Sequence, residues 1–346
     1  MYSTAIGKYR TLFKIPRATV EKEFSPYFYQ YFFRFFRDPE GFVGYLEKCR
    51  YLFNVTKAKD ASVLDLGCGF GMMATLFGLF GAKEVIGYDL NTEKINLFQK
   101  LLCYLGPEIK NVKPVLGDIM KVIFDDESFD VVVMNETLSH VREMEDSIDE
   151  VYRLLKSGGR LLIRDGNNSL FFWGRIRRRR FWQKVERGPV HPSWFRSTDI
   201  PLPFAEVRQK MILEEFPQMD TEKIKILSQK TAGLFGNEIF EAVKEFERIG
   251  RITNRPKFRY RNPMTGEFPE REINPFDLKM RLVRRGFKLS LIPYFYSESF
   301  SNFEMIIKRF YYLMERYIPI LPLFLTPGFA LLGIKKKEAK INKICQ

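Results

Sequence analysis

The stretch Val63-Leu-Asp-Leu-Gly-Cys-Gly-Phe-Gly71 decides the fold of this chain. Its first residues continue a short apolar run that reads as a β-strand, and Met72–Phe80, directly after the last glycine, reads as a helix. Glycine lacks a Cβ atom, so the chain can turn tightly here and bring its backbone against a ligand. The free N–H groups at the start of the following helix favour an anionic group. A strand, a glycine loop and a helix in this order predict a nucleotide-type binding site.

The spacing of the glycines separates two kinds of nucleotide site. A dinucleotide fingerprint would need its third glycine at position 72, where the chain has Met72. The chain instead reads GxGxG, and Asp65 stands two residues before the first glycine. This pattern resembles motif I of the class I S-adenosylmethionine (SAM)-dependent methyltransferases. The resemblance implies that Asp65 and the glycine loop hold the methionine portion of SAM, the loop residues being Gly67, Cys68, Gly69 and Gly71.

Further segments extend the resemblance in the same order along the chain. Asp89 ends the second predicted strand, where a carboxylate can accept hydrogen bonds from both ribose hydroxyls. Gly117-Asp118-Ile119 is similar to the family segment that binds adenine, and the turns Asn135–Val141 and Leu154–Leu161 are similar to those of the type 11 branch. The likeness is good over about 61–165, loose over 282–334 and absent between. It adds these residues to the expected cofactor site: Asp89, Leu90, Asp118, Ile119 and Asn135.

The order of predicted elements indicates an α/β fold. Strands alternate with helices through residues 61–165, which predicts a parallel sheet with right-handed crossovers. We expect a Rossmann-like, seven-stranded, mostly parallel sheet. An aromatic, helical extension over 1–60 precedes it, either as a packing element or as a lid. The segment 166–281 is too long for a bare loop between strands 5 and 6. It predicts a helical insertion that forms a subdomain covering the substrate. Residues 282–346 complete the sheet and end in a basic tail.

Three residues are candidates for a general base. Histidine suits proton transfer near neutral pH, and the chain has two, His140 and His191. His191 lies among prolines and aromatic residues of the insertion and is the leading candidate, although an ordinary loop histidine is the alternative. In type 11 relatives, the position of His140 usually serves the fold or the cofactor pocket. Asp165 follows the fifth strand, and ligands of open α/β sheets bind beyond such strand ends.

The segment Trp173–Trp182 carries four consecutive arginines between aromatic residues. It could bind phosphates and stack bases, lie on anionic lipid, or pair with acids of the insertion. Methylation of nucleic-acid bases is disfavoured, because the turn at Asn135 lacks an Asn-Pro-Pro-aromatic sequence and no cysteine follows a proline. No RNA-binding module is recognisable.

Composition and residue patterns limit the possible partners, metal sites and cellular location of the protein. The formal net charge of +14 favours anionic partners without choosing between them. The four cysteines are scattered, so neither a disulfide framework nor a metal site is expected. The N-terminus lacks a secretory signal pattern, and we expect a cytoplasmic protein, with membrane association left open. The apolar stretch Tyr317–Ile334 is interrupted by prolines, which argues against a straight transmembrane helix and leaves an interfacial contact or a buried loop and strand.

Together these features predict a SAM-dependent methyltransferase. Its acceptor is expected to be a small molecule or a carbohydrate-like compound, methylated at oxygen. Two alternatives stay open: a peripheral membrane methyltransferase of a lipid or lipid-linked glycan, and a non-catalytic SAM-binding interaction module. The sequence does not indicate the oligomeric state.

Overall fold

The structure is a computed structural model. It describes residues 2–12, 14–26, 28–29, 31, 39–166, 168–188, 202–254, 256, 260–266, 271–294 and 303–336.

Within these residues, seven strands form one sheet in the spatial order β3-β2-β1-β4-β5-β7-β6. The strands are β1 (Ser62–Leu66), β2 (Glu84–Asp89), β3 (Val112–Leu116), β4 (Phe129–Asn135), β5 (Leu155–Asp165), β6 (Phe287–Ile292) and β7 (Phe329–Lys335). Strands β1 to β5 pair in parallel, and β7 runs antiparallel to both β5 and β6. The predicted seven-stranded, mostly parallel sheet is therefore confirmed.

The strand order places a crevice at the centre of the sheet. The chain winds from β1 outward to β3 and then returns to β4 on the other side of β1. Ligands of such sheets bind beyond the carboxyl ends of the strands where the winding direction reverses, here β1 and β4. The run Val131–Met134 of β4 is buried, as a central parallel strand requires.

Helices flank the sheet and fill the insertion. They are α1 (Tyr2–Leu12), α2 (Arg17–Glu23), α3 (Pro39–Val55), α4 (Met72–Phe80), α5 (Thr92–Leu105), α6 (Met144–Leu154), α7 (Phe172–Arg187), α8 (Phe204–Glu215), α9 (Thr221–Lys230), α10 (Asn237–Ile249), α11 (Pro275–Arg284), α12 (Phe303–Tyr317) and α13 (Pro322–Leu325). None of the helices in the described part of the chain combines the length and the apolar character needed to cross a membrane.

The chain divides into two compact units. The first unit comprises Met1–Leu138, Glu143–Phe171 and Ile273–Gln346, and the second comprises Ser139–Arg142 and Phe172–Glu272. The first unit contains the whole sheet. The second contains α7 to α10 and has its own apolar core, whose buried residues are Ile212, Ile224, Leu227, Leu234, Ile239, Ala242, Val243 and Ile252.

The aromatic N-terminal extension packs on the glycine loop of the first unit. The N–H of Phe28 donates to Ser25 Oγ at 3.0 Å, the kind of bond that caps the start of a helix. Phe28 is buried, and its ring centroid lies 5.4 Å from that of Phe70 in an edge-to-face arrangement. The ring of Tyr31 contacts Phe70 in the same way at 5.0 Å. Most of the remaining aromatic run, including residues 32–38, lies outside the described residues.

Candidate functional site

The three glycines of the loop between β1 and α4 all have positive φ angles, but their surroundings differ. A Cβ atom added to Gly67 would lie 2.3 Å from Thr137 Cγ2, and one added to Gly71 would lie 2.1 Å from the Phe98 ring. A Cβ atom at Gly69 would meet nothing within 4 Å. Gly67 and Gly71 therefore make room for the protein's own side chains, whereas Gly69 faces open space that a ligand can fill.

Asp65, at the end of β1, is a buried carboxylate that lacks a full set of partners. Its side chain is 3% exposed, and its Oδ2 atom accepts no hydrogen bond from the described residues. Burial, together with the nearby charge of Asp89, raises the pKa of Asp65 to about 7, and a backbone hydrogen bond from Ala74 opposes the shift. A buried acceptor without a partner is costly unless a donor or cation arrives. The ammonium group of a bound methionine moiety is such a cation, so Asp65 fits the role that the sequence predicted.

Asp89 ends β2 and ties the glycine loop to this edge of the sheet. Its Oδ2 accepts the N–H of Gly69 at 2.8 Å, and its Oδ1 accepts the N–H of Asn91 at 2.9 Å. An ionised carboxylate has about four acceptor sites, so two further donors, such as ribose hydroxyls, can be accommodated. The next side chain, Leu90, is 54% exposed and offers an apolar surface beside the carboxylate.

The turn after β3 lies next to Asp89. The N–H of Gly117 donates to the backbone oxygen of Asp89 at 3.0 Å. Asp118 follows directly and accepts the N–H of Met120 through Oδ1 at 2.9 Å, and the side chain of Ile119 is half-buried. The predicted cofactor residues of β1, β2 and β3 thus lie along the carboxyl ends of three neighbouring strands.

A polar cluster at the ends of β4 and β5 was missed by sequence reasoning. Glu136 has a φ of 56°, an uncommon backbone conformation for a residue other than glycine. Its Oε1 accepts Arg164 Nη1 at 2.8 Å and Tyr294 Oη at 2.9 Å, and its Oε2 accepts the N–H of Gly166 at 2.7 Å. The Arg164 guanidinium also donates to Asn135 Oδ1 at 3.3 Å. Asn135 is therefore held toward the cluster, beside a firmly oriented carboxylate.

Helix α3 places Lys48 close enough to this cluster for the charges of Arg164 and Glu136 to affect its pKa. The Nζ atom of Lys48 lies 4.2 Å from the centroid of the Tyr45 ring. Burial lowers the pKa of Lys48 to about 7, and the positive charge of Arg164 contributes to the shift, while Glu136 opposes it. The only sequence signal for Glu136 was its position after Asn135. Lys48, Arg164 and Tyr294 had no signal, since they are distant in sequence.

The three residues predicted as general bases are placed differently. Asp165 ends β5 and is fully buried, with Phe329 of β7 as its register partner. His140 is exposed and belongs to the Ser139–Arg142 segment of the second unit. His191 lies outside the described residues. All three stay predictions.

The arginine run forms part of α7 in the second unit. Arg178 is buried, and its Nε lies 3.3 Å from Glu272 Oε1; Arg175 lies 3.8 Å from the other oxygen of the same carboxylate. The ring of Trp182 stacks on Tyr260 with centroids 5.4 Å apart. Arg175 and Arg178 therefore pair with an acid of the insertion, which was one of the three alternatives predicted for this segment.

Comparison with known proteins finds similarity over the part of the chain that contains the glycine loop. Residues 64–163 match the family described as "Methyltransferase domain". Sterol 24-C-methyltransferase erg-4 of Neurospora crassa is 36% identical over 103 residues, which are 29% of this chain and 26% of that protein. A ribosomal protein L11 methyltransferase of Streptococcus pneumoniae is 33% identical over 105 residues, 30% of each chain.

The solved structures that are similar include a SAM-dependent methyltransferase from Mesorhizobium loti. Its TM-score is 0.42 at 12% identity, with 83% of this chain and 95% of that chain covered. The chain spans less than a third of the length of the two curated relatives named above.

Proposed function

Since residues 64–163 form a class I SAM-dependent methyltransferase domain, we propose that this protein transfers a methyl group from SAM to an oxygen atom of a small-molecule or carbohydrate-like acceptor. One observation carries the SAM-binding part of the proposal. The buried Asp65 carboxylate, with an oxygen that has no partner among the described residues, lies beside Asp89 and a glycine loop that is open at Gly69. A cationic amino acid joined to a nucleoside would satisfy all three features.

The residues divide the binding of the cofactor between them. Asp65 accepts a hydrogen bond from the methionine ammonium group, and Asp89 accepts hydrogen bonds from the ribose hydroxyls. Asp118, with the apolar side chains of Leu90 and Ile119, binds the adenine. When bound, SAM supplies an electrophilic methyl group on a sulfonium. Catalysis then requires the chain to hold the acceptor in line with that methyl group and to exclude competing water.

The Glu136 cluster is the part of the first unit that is suited to hold the acceptor. Ligands bind beyond the carboxyl ends of the strands, and Glu136 follows β4 directly, with a side chain that is 35% exposed. Arg164 and Tyr294 fix its carboxylate, so it can accept a hydrogen bond from an acceptor hydroxyl without reorganising. A neutral Lys48 can take up the hydroxyl proton near neutral pH. His191 of the insertion is the second candidate for this step.

A lipid or lipid-linked glycan is the second acceptor class. One of the relatives named above is a sterol methyltransferase, and a sterol is a lipid. A SAM-binding module without catalysis is the remaining alternative, and product analysis separates it from the enzymes.

The test uses SAM labelled in its methyl group. The full chain is incubated with separate aqueous, lipid and polysaccharide fractions of a cell extract, and labelled products are resolved by chromatography. We expect label in an alkali-stable ether in the aqueous or polysaccharide fraction. The Asp89→Ala variant serves as the control that cannot bind SAM. Label confined to the lipid fraction would select the second acceptor class. Tight SAM binding without labelled product in any fraction would refute catalysis.

A further inference from the structure

Helix α12 presents an apolar stripe to solvent. Ile306, Phe310, Leu313 and Tyr317 follow one another at spacings of four, three and four residues, so they lie on one side of the helix. Their exposed fractions are 60%, 60%, 40% and 73%. The helices of a soluble protein normally turn such a stripe toward the core. In α12 the stripe points outward.

The opposite side of α12 faces the protein. Glu315 is buried. Burial, with smaller effects of the nearby Tyr312 and Glu315, raises the pKa of Tyr51, on α3, to about 12, while Arg316 opposes the shift. Tyr312 and Glu315 therefore lie on the side of α12 that is turned toward α3, and the packing of this side against the rest of the first unit sets the orientation of α12. The outward direction of the apolar stripe is a consequence of that packing.

The exposed apolar surface continues past the end of the helix. The five further large apolar side chains that are 42–56% exposed are Ile318, Ile320, Leu321, Phe324 and Leu325. We call this surface, from Ile306 to Leu325, the α12–α13 face. Soluble proteins rarely expose so many large apolar residues that follow one another, and such a surface marks an interaction site.

The charges around the α12–α13 face are mainly positive. Residues 303–336 contain five basic residues and two acids, Glu304 in the first turn of α12 and Glu315, which is buried; one of the basic residues, Lys335, is buried as well. Arg309 and Arg316, seven residues apart on one flank of the stripe, are exposed, as is Lys336 after β7. A basic flank on an apolar surface complements anionic lipid headgroups above an acyl layer. In a two-fold pairing of two copies, the same face would meet itself and bring like charges together.

We propose that the α12–α13 face docks on an anionic phospholipid bilayer, with α12 in the plane of the headgroups. The apolar stripe enters the acyl boundary, and Arg309 and Arg316 lie at the level of the phosphates. This inference goes beyond methyl transfer, since docking requires neither bound SAM nor an acceptor. The protein would then act at a membrane surface, and an acceptor that is itself anchored in lipid would be held near the sheet.

Vesicle binding of the full chain tests the proposal. The probes are vesicles of phosphatidylcholine alone and of phosphatidylcholine with phosphatidylserine, at physiological salt, with binding measured by co-sedimentation. We expect the wild type to prefer the anionic vesicles. The double variant Phe310→Glu/Leu313→Glu should bind them at least about tenfold more weakly, because two acidic groups would have to enter the acyl boundary. The variant Arg309→Gln/Arg316→Gln should lose about fivefold per arginine, mainly on anionic vesicles.

A matched control comes from the second unit. Ile226 on α9 is 50% exposed, and Ile226→Glu should leave vesicle binding unchanged. Calorimetric SAM binding by each variant reports whether the first unit is folded, independently of lipid. The proposal is overturned if the wild type ignores both vesicle types, or if the α12 double variant binds as well as the control. A change in oligomeric state of that variant without lipid would assign the face to a contact between copies instead.

Discussion

Replacing Asp65 by asparagine should change the pH dependence of stability and remove SAM binding at the same time. The buried carboxylate has its pKa raised from 3.8 to about 7, with burial as the main cause and the charge of Asp89 as the second. The folded state without cofactor therefore holds a proton that the unfolded state releases above about pH 4. The amide side chain introduced by Asp65→Asn carries no charge in either state, so this source of pH dependence would disappear.

The direction and size of this pH dependence follow from the pKa values of Asp65 in the folded and unfolded states. Because the folded-state pKa is the higher one, the stabilising contribution is complete below about pH 4 and is lost as the pH rises toward about 7. Each pKa unit corresponds to about 1.4 kcal/mol, so the ionised Asp65 destabilises the cofactor-free fold by roughly 4 kcal/mol. Asp65 is 3% exposed, so solvent screens this penalty little. From about pH 5 to pH 8, the variant should gain roughly 3 kcal/mol relative to the wild type.

Hydrogen exchange of the core amides of β1 and β4 measures this difference, because it reports the free energy of opening the first unit. The comparison is made between wild type and variant at each pH and constant ionic strength, so contributions from groups that do not interact with Asp65 cancel. SAM should stabilise the wild type at about pH 8 and leave the variant unaffected. A stability difference that does not change with pH would refute the buried, uncompensated carboxylate. Undiminished SAM affinity in the variant would refute its role toward the ammonium group.

Four further substitutions test the same unit. Gly69→Ala should keep the fold, with a strain cost of about 1 kcal/mol at its positive φ. It should lose SAM affinity, because the added methyl group enters the open space of the loop. Gly71→Ala should instead lower the melting temperature, since its Cβ atom would overlap the ring of Phe98. Asp89→Ala should abolish SAM binding measurable by calorimetry, and wild-type affinity would contradict the assignment. Once the acceptor is identified, Lys48→Met should remove an ascending limb near pH 7 from the pH profile of kcat, and an unchanged profile would exclude Lys48 as the base.

The geometry of the candidate cofactor site was predictable because its determinants are local. Glycines at fixed spacing permit one tight turn between a strand and a helix, and the position of Asp65 relative to them needs no distant contact. The neighbouring positions of Asp89 and Asp118 follow from the alternation of strands and helices, since parallel strands bring their carboxyl ends to one edge. The order in which β7 enters between β5 and β6 required the structure.

The Glu136 cluster and the α12–α13 face depend on contacts between distant parts of the chain. Tyr294 reaches Glu136 across 158 residues, and Lys48 enters from a helix that precedes the sheet. The lowered pKa of Lys48 and the raised pKa of Asp65 arise from burial, which no residue pattern measures. Periodicity likewise shows that a helix has an apolar side, but only packing decides whether that side faces the core. The sequence by itself predicted which backbone turn should bind the nucleotide, and the tertiary structure decided which side chains surround that turn and which apolar surface stays exposed.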